Sequence, residues 1–579
     1  MDTTPLKRHL ASLERDRLSF RRGVNMSSPR AVLLVATLLA VGMLSACGGG
    51  STNTANDSTP PLPPVISVSV SPAATSVDQG DTLQFSASVI GSGNQAVTWS
   101  IQEGSAGGSI SQTGLYTAPA AAMDVHVVAT SVADPNKSSS ALVTLNAVSV
   151  SMPSTAGVLR GRQRQFTAVV AGTVVKDVTW TVEEGSGGGN ITADGLYTAP
   201  TSGGPFHVTA RSVADPSKAA TAAVVLTDAG FRMLNTSTLV PRISHTATLL
   251  PDGKVLIVGG SKCDVNGCSF DLFRQSFPFD RLLSSAELYD PATETFSATG
   301  SMSIARAFHS ATLLNNGTVL VIGGLNPGGG SVATAEIYDP ATGSFTRIGD
   351  MARGRFEHTA SLLADGRVLI AGGLEGNAND FGFGSTQTAE LYDPATQSFS
   401  PAGDMPNAAA SHTASVLLDG TVLVAGGRGN TCPSEGAAVT IFNPASNSFR
   451  ANVSLPERRA GHTATTLNDG RVLITGGGDP CDFSGFGTPS DTAVVFDPAT
   501  SSFSSEKAMR EPRSGHSATL LADGKVLVVG STAELFDPAT SSFAITGDPN
   551  VPRGDRRATR LADGRVLFTG STSVAEVYE

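Results

Sequence analysis

Six histidines stand at matched places in this chain, at His245, His309, His358, His412, His462 and His516, with Arg556 at a seventh. Each opens a run of the type His245-Thr-Ala-Thr-Leu-Leu-Pro-Asp-Gly-Lys-Val-Leu-Ile-Val-Gly-Gly260. Imidazoles gathered from several copies could form a ring that binds a metal or moves protons near neutral pH. They could equally make one local hydrogen bond each, copy by copy. Repetition favours the local bond, because an active site in a pseudo-symmetric array breaks the repeat and does not follow it.

Cysteine offers the second set of reactive side chains. Besides Cys47 there are Cys263, Cys268, Cys432 and Cys481, an even number that suits an oxidising exterior. Cys263 and Cys268 share one segment, while Cys432 and Cys481 follow the Gly-Gly of adjacent copies, so the expected disulfides are 263 to 268 and 432 to 481. A zinc site is the weaker use, since no His stands at ligand spacing in these loops.

The elements that must position these groups are legible from the turns. Asp252-Gly253, Asn316-Gly317, Asp365-Gly366, Asp419-Gly420, Asp469-Gly470, Asp523-Gly524 and Asp563-Gly564 each separate two short apolar runs. Each pair predicts a β-hairpin with a tight two-residue turn. A second pair of runs follows, of the type Ala286-Glu-Leu-Tyr-Asp-Pro-Ala-Thr-Glu-Thr-Phe296, which gives four strands per unit. The Pro falls just past the third strand, where a missing donor does no harm.

A four-stranded unit recurring every ~40 to 60 residues predicts a propeller blade. The Gly-Gly plus Tyr-Asp-Pro pattern over residues 231 to 579 resembles the kelch family, with Phe296, Phe345, Phe399, Phe449, Phe503 and Phe543 where kelch units usually carry Trp. The last two units read Gly530-Ser531 and Gly570-Ser571 in place of Gly-Gly. Each of those six Phe lies 13 residues before the first position of the next inner strand, and Phe231 lies 14 before His245. The final unit writes only three strands up to Glu579, so Phe231 is assigned to it as the fourth. That closes a seven-bladed ring by pairing the two ends of the repeat region and removes exposed sheet edges.

In a kelch-like blade the loop after Gly-Gly and the linker to the next inner strand emerge on one face. That face varies in length, at Ser261 to Ser285, Leu374 to Thr388, Arg428 to Ala438 and Gly478 to Thr492, while the Asp-Gly turns do not. Ligand contact is expected where lengths differ. The candidates there are Phe270, Phe273, Phe277, Phe279, Phe381, Phe383, Phe483 and Phe486, with the six histidines at the channel mouth. The face has no Trp, which favours a protein or apolar partner over a sugar platform; the same Phe side chains could instead pin long loops to the blades.

Galactose oxidase and glyoxal oxidase are similar kelch-type propellers in which a Tyr-His pair at this motif position helps hold copper. Here the preceding residues are Ser244, Phe308, Glu357, Ser411, Gly461 and Gly515, and Tyr289, Tyr338, Tyr392 and Tyr578 all fall in the third-strand motif. The resemblance therefore does not extend to a copper-radical site, and no cofactor is expected.

Upstream, residues 65–147 and 148–227 repeat at a period of 81: Val97-Thr-Trp-Ser100 matches Val178-Thr-Trp-Thr181, and Gly114-Leu-Tyr-Thr-Ala-Pro119 matches Gly195-Leu-Tyr-Thr-Ala-Pro200. Alternating runs bounded by Gly, Pro and Asp predict two β-sandwiches, which resemble bacterial Ig-like domains, with Trp99 and Trp180 in their cores. Their Asp-Pro turns are explained without calcium. Residues 47–64 are Ser, Thr, Asn and Pro-rich and predict a flexible tether. Ala31 to Met43 is a 13-residue apolar run ahead of Leu44-Ser-Ala-Cys47. It is too short to span a bilayer and reads as a signal over residues 1–46, with Met26 the more natural start. Leu-Ser-Ala-Cys resembles the bacterial lipobox, which makes Cys47 the lipid-modified residue.

The formal charge is −11, and removing residues 1–46, with seven Lys/Arg and three Asp/Glu, takes it to −15. That argues against nucleic acid as a partner. The all-β chain is thus expected to be an exported, lipid-anchored, monomeric binding or adhesion module for an extracellular protein or glycan, touching the membrane through its anchor alone. The alternative is a carbohydrate-active enzyme, oxidase-like or mutarotase-like, with a site at the channel mouth.

Overall fold

The computed structural model describes residues 65–263, 279–377, 382–430, 436–481, 488–551 and 557–579. Among them the chain is built of β-strands, with three short 3₁₀ turns and no α-helix.

From residue 231 onward each repeat folds as an antiparallel sheet, and in the first six the strands follow chain order from the axis outward. In the second repeat these are Ser310–Leu313, Val319–Ile322, Thr334–Asp339 and Ser344–Asp350. The second strand is buried at every position, here and in its counterparts Val255–Val258 and Val368–Ala371, because neighbouring sheets cover both of its faces. This is why the sequence writes it as a continuous apolar run and not as an alternation. On the third and fourth strands Tyr338 stands opposite Phe345, with ring centroids 4.9 Å apart, and Tyr289–Phe296 and Phe442–Phe449 repeat the pair at 4.9 Å. Such aromatic cross-strand pairs fix register, since a slip of one residue would turn both rings to the other face.

Seven of these sheets occur among the described residues, the fifth with an added strand Lys507–Arg513. Their first strands neighbour one another in sequence order, and Thr246–Leu249 also neighbours Arg557–Arg560 of the last sheet. In that last sheet the fourth strand is Phe231–Ser237, antiparallel to Thr572–Tyr578, with Phe231 opposite Tyr578 and Arg232 opposite Val577. The spacing of 14 in place of 13 is absorbed by a bulge. In the first sheet the span Ala298 to Ser301 faces Glu287 to Ser285, whereas in the last the span Met233 to Ser237 faces Glu576 to Val574, one residue more on the outer strand.

The Asp-Gly turns differ from expectation. Gly253 N–H donates to Leu250 O at 3.0 Å and Leu250 N–H to Lys254 O at 2.8 Å, so each loop is a three-residue turn and only the Gly takes positive φ (+85° at Gly253). The Asp carboxylate prefers to accept from the backbone two residues on, as Asp252 Oδ1 does from Lys254 N–H at 3.1 Å, and this holds the Asp itself in the right-handed region.

The two upstream repeats are sandwiches. In the first, Ala74–Val77, Ser138–Leu145, Asp124–Ser131 and Val97–Ile101 form one sheet, over a core of Phe85, Tyr116, Val125, Val127 and Val143. Trp99 and Trp180 are packed against the edges of their cores and partly exposed, not enclosed as expected. Each sits beside a glycine turn, where a Cβ on Gly114 or Gly195 would meet the indole at 3.2 or 3.0 Å.

Candidate functional site

Among the described residues, the approach to six of the inner strands is a residue held at positive φ: Ser244 at 53°, Phe308 at 57°, Glu357 at 53°, Ser411 at 52°, Gly461 at 64° and Gly515 at 62°. This conformation is costly for side chains other than Gly, Asn and Asp. It is imposed by a chain of backbone bonds running from sheet to sheet. Phe308 N–H donates to Ser244 O, Glu357 N–H to Phe308 O, Ser411 N–H to Glu357 O, Gly461 N–H to Ser411 O and Gly515 N–H to Gly461 O, at 2.9 to 3.2 Å. The six residues therefore form an arc at one end of the channel, the end from which the loops of variable length emerge.

Side chains break the symmetry of that arc. Glu357 Oε2 accepts from Ser411 Oγ at 2.5 Å and lies 3.6 Å from Arg428 Nη2. Arg428 is placed there by a two-bond ladder with Ala410, at 2.7 and 2.9 Å. On the other side of Glu357, Phe308 packs near Phe356, which stacks edge-on against Phe383 at 4.8 Å, and these rings join Leu325, Leu374 and Ala410 in one apolar cluster. One carboxylate, one guanidinium and one hydroxyl next to an apolar wall can orient a ligand that both donates and accepts hydrogen bonds. Further along the same face, Glu457, Arg458, Asp479, Ser490, Asp491 and Thr492 line an open groove of about 780 Å³. There Arg458 makes a bidentate pair with Asp479 at 3.1 and 2.7 Å.

The six histidines are not at this surface. They are buried in the seams between sheets, each handing its Nε2 to a hydroxyl of the preceding sheet. His309 meets Thr246 Oγ1 at 3.0 Å, His358 meets Ser310 Oγ at 2.8 Å, His412 meets Thr359 Oγ1 at 3.0 Å, and His462 meets Thr413 Oγ1 at 2.9 Å. His516 lies 3.1 and 2.7 Å from Thr463 and Thr475 Oγ1, and His245 lies 2.9 Å from Thr569 Oγ1. Positive φ at the preceding residue turns the chain so that the imidazole enters the seam and not the channel. Burial drives the ring pKa down, to about 3 at His358, His462 and His516 and to about 4 at His412, with nearby arginines acting in the same direction at His358, His462 and His516. His245 and His309 are pushed well below the usual value by burial, with further help from Arg557 and Arg306. All six are neutral near pH 7, as hydrogen-bonding partners of hydroxyls. Arg556 lies outside the described residues.

The first glycine of Gly-Gly is the floor on which the next imidazole rests. Gly323 has φ of +69°, and a Cβ there would stand 2.5 Å from Arg355 O and 2.6 Å from His358 Cε1. Gly323→Ala is expected to destabilise the fold by roughly 2 kcal/mol or more, read as a lowered urea midpoint at unchanged slope. An unchanged midpoint would show that the seam has room to spare.

A second set of buried groups escaped the sequence reading. Three residues before the histidine stand Arg242, Arg306, Arg355, Arg459 and Arg513, all buried. Arg306 Nη1 donates to Gly323 O and Thr334 O at 2.9 Å, and its Nη2 donates to Glu336 Oε1 at 2.9 Å. Arg242–Glu287, Arg355–Glu390 and Arg513–Glu534 repeat the pair at 3.0, 3.1 and 2.8 Å. The fourth sheet has Ala409 and Thr440 at these two places, losing both partners together, and in the fifth the Glu position is Val494, with Glu457 from the linker facing Arg459 at 3.4 Å. The available signal was the recurrent Arg three positions before His together with the Ala-Glu of the third strand.

Of the remaining candidates, Phe383 is pinned on Phe356, and Phe279 begins the 3₁₀ turn Phe279–Arg281. Cys263 and Cys481 are disulfide-bonded. Cys47, Cys268, Cys432, Phe270, Phe273, Phe277, Phe381, Phe483 and Phe486 lie outside the described residues. Among the described residues no group of three or more His, Cys, Asp or Glu is placed to hold a metal ion.

Two family models match parts of the chain: a bacterial Ig-like domain (group 2) over residues 64–137 and a kelch motif over residues 306–352. No curated protein sequence matches it. Among solved structures, the chain is similar to a fungal alcohol oxidase of the AA5 family in complex with copper, at 17% identity and a TM-score of 0.47 over 61% of this chain and 76% of that one. It is also similar to YjhT, at 15% identity and a TM-score of 0.40 over 54% of this chain and 99% of that one.

Proposed function

We propose that the chain is an exported binding module whose propeller presents its variable-loop face to an extracellular glycan or protein. Ig-like repeats joined to a kelch-type propeller fit a binding role. The observation that carries the reading is the coincidence of two asymmetries at one end of the channel. The loops that differ in length emerge there, and the approach residues, equivalent by fold, are there replaced by Phe308, Glu357 and Ser411 beside Arg428. A repeat protein keeps such departures where contact with something asymmetric maintains them. The described part of this face offers carboxylates, guanidinium groups and hydroxyls, which suits a partner rich in hydrogen-bonding groups, with an apolar wall for one of its surfaces.

The lipobox-like Cys47 would tether the module to a bacterial membrane, facing periplasm or exterior, and disulfides 263 to 268 and 432 to 481 would stiffen the loops. The test is a glycan array and a panel of extracellular matrix proteins probed with the chain from residue 48, beside a Glu357→Ala, Arg428→Ala, Arg458→Ala triple variant. Binding that drops at least tenfold in the triple variant and is unchanged by Asp419→Ala, at the opposite end of the channel, supports the reading. Binding that is insensitive to the triple variant, or turnover of sugars by the unaltered chain, defeats it.

A further inference from the structure

The second sandwich and the propeller meet around one buried carboxylate. Asp548, in the linker that leaves the sixth sheet, has a fully buried side chain. Its Oδ2 accepts from Gly157 N–H at 2.8 Å and from Arg164 Nη1, and its Oδ1 accepts from Ala533 N–H at 2.7 Å. Arg510 Nη1 stands 3.4 Å from both oxygens, and Arg510 Nη2 donates to Thr155 O. Asp548 N–H in turn donates to Gly157 O at 2.8 Å. An ion withdrawn from water to this degree is tolerated only when donors on every side replace its hydration, and here they come from both domains.

Shape follows the charges. Thr155–Leu159 is an edge strand of its sandwich, and it lies against the end of the outermost strand of the sixth sheet, so each covers an edge of the other. The approach is so close that a Cβ on Gly157 would fall 1.8 Å from Thr546 O. The connection is short and held on both sides. Between Ala219–Thr227 and Phe231–Ser237 stand only Asp228, Ala229 and Gly230, with Gly230 exchanging two 3.1 Å bonds with Glu579 and Ala229 O accepting from Gly547 N–H at 3.0 Å. These are the residues that flank the closing strand pair.

The first sandwich lacks the two residues that make this contact in the second. At the period of 81 the first sandwich carries Ser76 where the second has Gly157, and Leu83 where it has Arg164, although the neighbouring Gln84-Phe85 and Gln165-Phe166 match. The two copies thus diverge at the groups that hold Asp548. Between the sandwiches themselves the polar contacts are of a weaker kind: Gln79 exchanges 3.0 Å bonds with Gly172 and Val174, and the Lys176–Asp78 pair spans 3.7 Å with the lysine more than half exposed.

We propose that the second sandwich is a fixed part of the propeller, a clasp over the seam where the sheet array closes, and that the spacer consists of the first sandwich and the tether. This is independent of which ligand the variable face takes. The test uses the full chain from residue 48 carrying Gly157→Ser with Arg164→Leu, the residues with which the first sandwich folds, and separately Asp548→Asn. Amide hydrogen exchange at Phe231–Ser237 and Thr572–Tyr578 is expected to speed up at least tenfold in both variants, with new proteolytic cleavage at residues 228–230 and unchanged exchange in Ser310–Leu313 and Thr359–Leu362. Exchange at the closing strands within twofold of the parent overturns the proposal. So does a uniform acceleration across all sheets, which would mean that the contact supports the fold in general and not the seam.

Discussion

Glu336→Ala is expected to cost about 3–5 kcal/mol of stability, more than a surface carboxylate by an order of magnitude. Arg306 is fully buried and Glu336 nearly so, so the variant leaves a guanidinium in the core with its charge uncompensated. It also strips Ser303 N–H of the acceptor it finds at 2.8 Å in Glu336 Oε2. The informative comparison is Arg306→Met with Glu336→Leu, in which both charges leave together. That double variant is expected to lie within about 1–2 kcal/mol of the parent, because the pair's mutual attraction mainly offsets its own desolvation. The fourth sheet has already made this exchange, with Ala409 and Thr440. Urea unfolding of the three proteins decides it, and a single variant as stable as the double would mean that water reaches Arg306.

Acidification is expected to unfold the propeller well above the pH at which its carboxylates titrate. A histidine whose pKa is lowered in the folded state contributes stability that is complete above its unfolded value near 6.5 and is lost as pH falls toward the folded value, here about 3 to 4 for His358, His412, His462 and His516. At pH 5 each of these four withdraws about 2 kcal/mol, so together they approach the whole stability of an ordinary domain, on the order of 10 kcal/mol, and His245 and His309, also lowered by burial, act in the same direction. Glu287 and Glu534, whose pKa values burial raises, work in the opposite direction by gaining protons in the folded state. Melting temperature should therefore fall steeply between pH 6.5 and 4.5, and unfolding at pH 5 should take up several protons. His358→Gln, which keeps a donor near Ser310, should reduce that uptake by one. A melting temperature flat from pH 7 to pH 5 would show that the imidazoles remain hydrated in the seams.

Blade-level structure was legible because its causes are local. The apolar second strands, the Tyr-Asp-Pro corners and the Asp-Gly loops each act within a few residues, and repetition multiplies a signal that one copy would leave faint. Even the assignment of Phe231 to the final sheet was readable, since the spacing of one aromatic to the next inner strand is itself a repeated quantity. The turn length was misjudged because Asp satisfies its own loop through its side chain and leaves positive φ to Gly alone.

What the sequence by itself determined, then, is the set of strands, their order and the face on which loops vary, for these depend on contacts inside a unit. What only the tertiary structure decided is where equivalent side chains end up between units. The histidines sit in seams and not around the channel, each on a hydroxyl of the preceding sheet, and Asp548 answers a sandwich nearly 400 residues earlier. Those partners are chosen by how finished sheets approach one another. No periodicity along the chain encodes that distance.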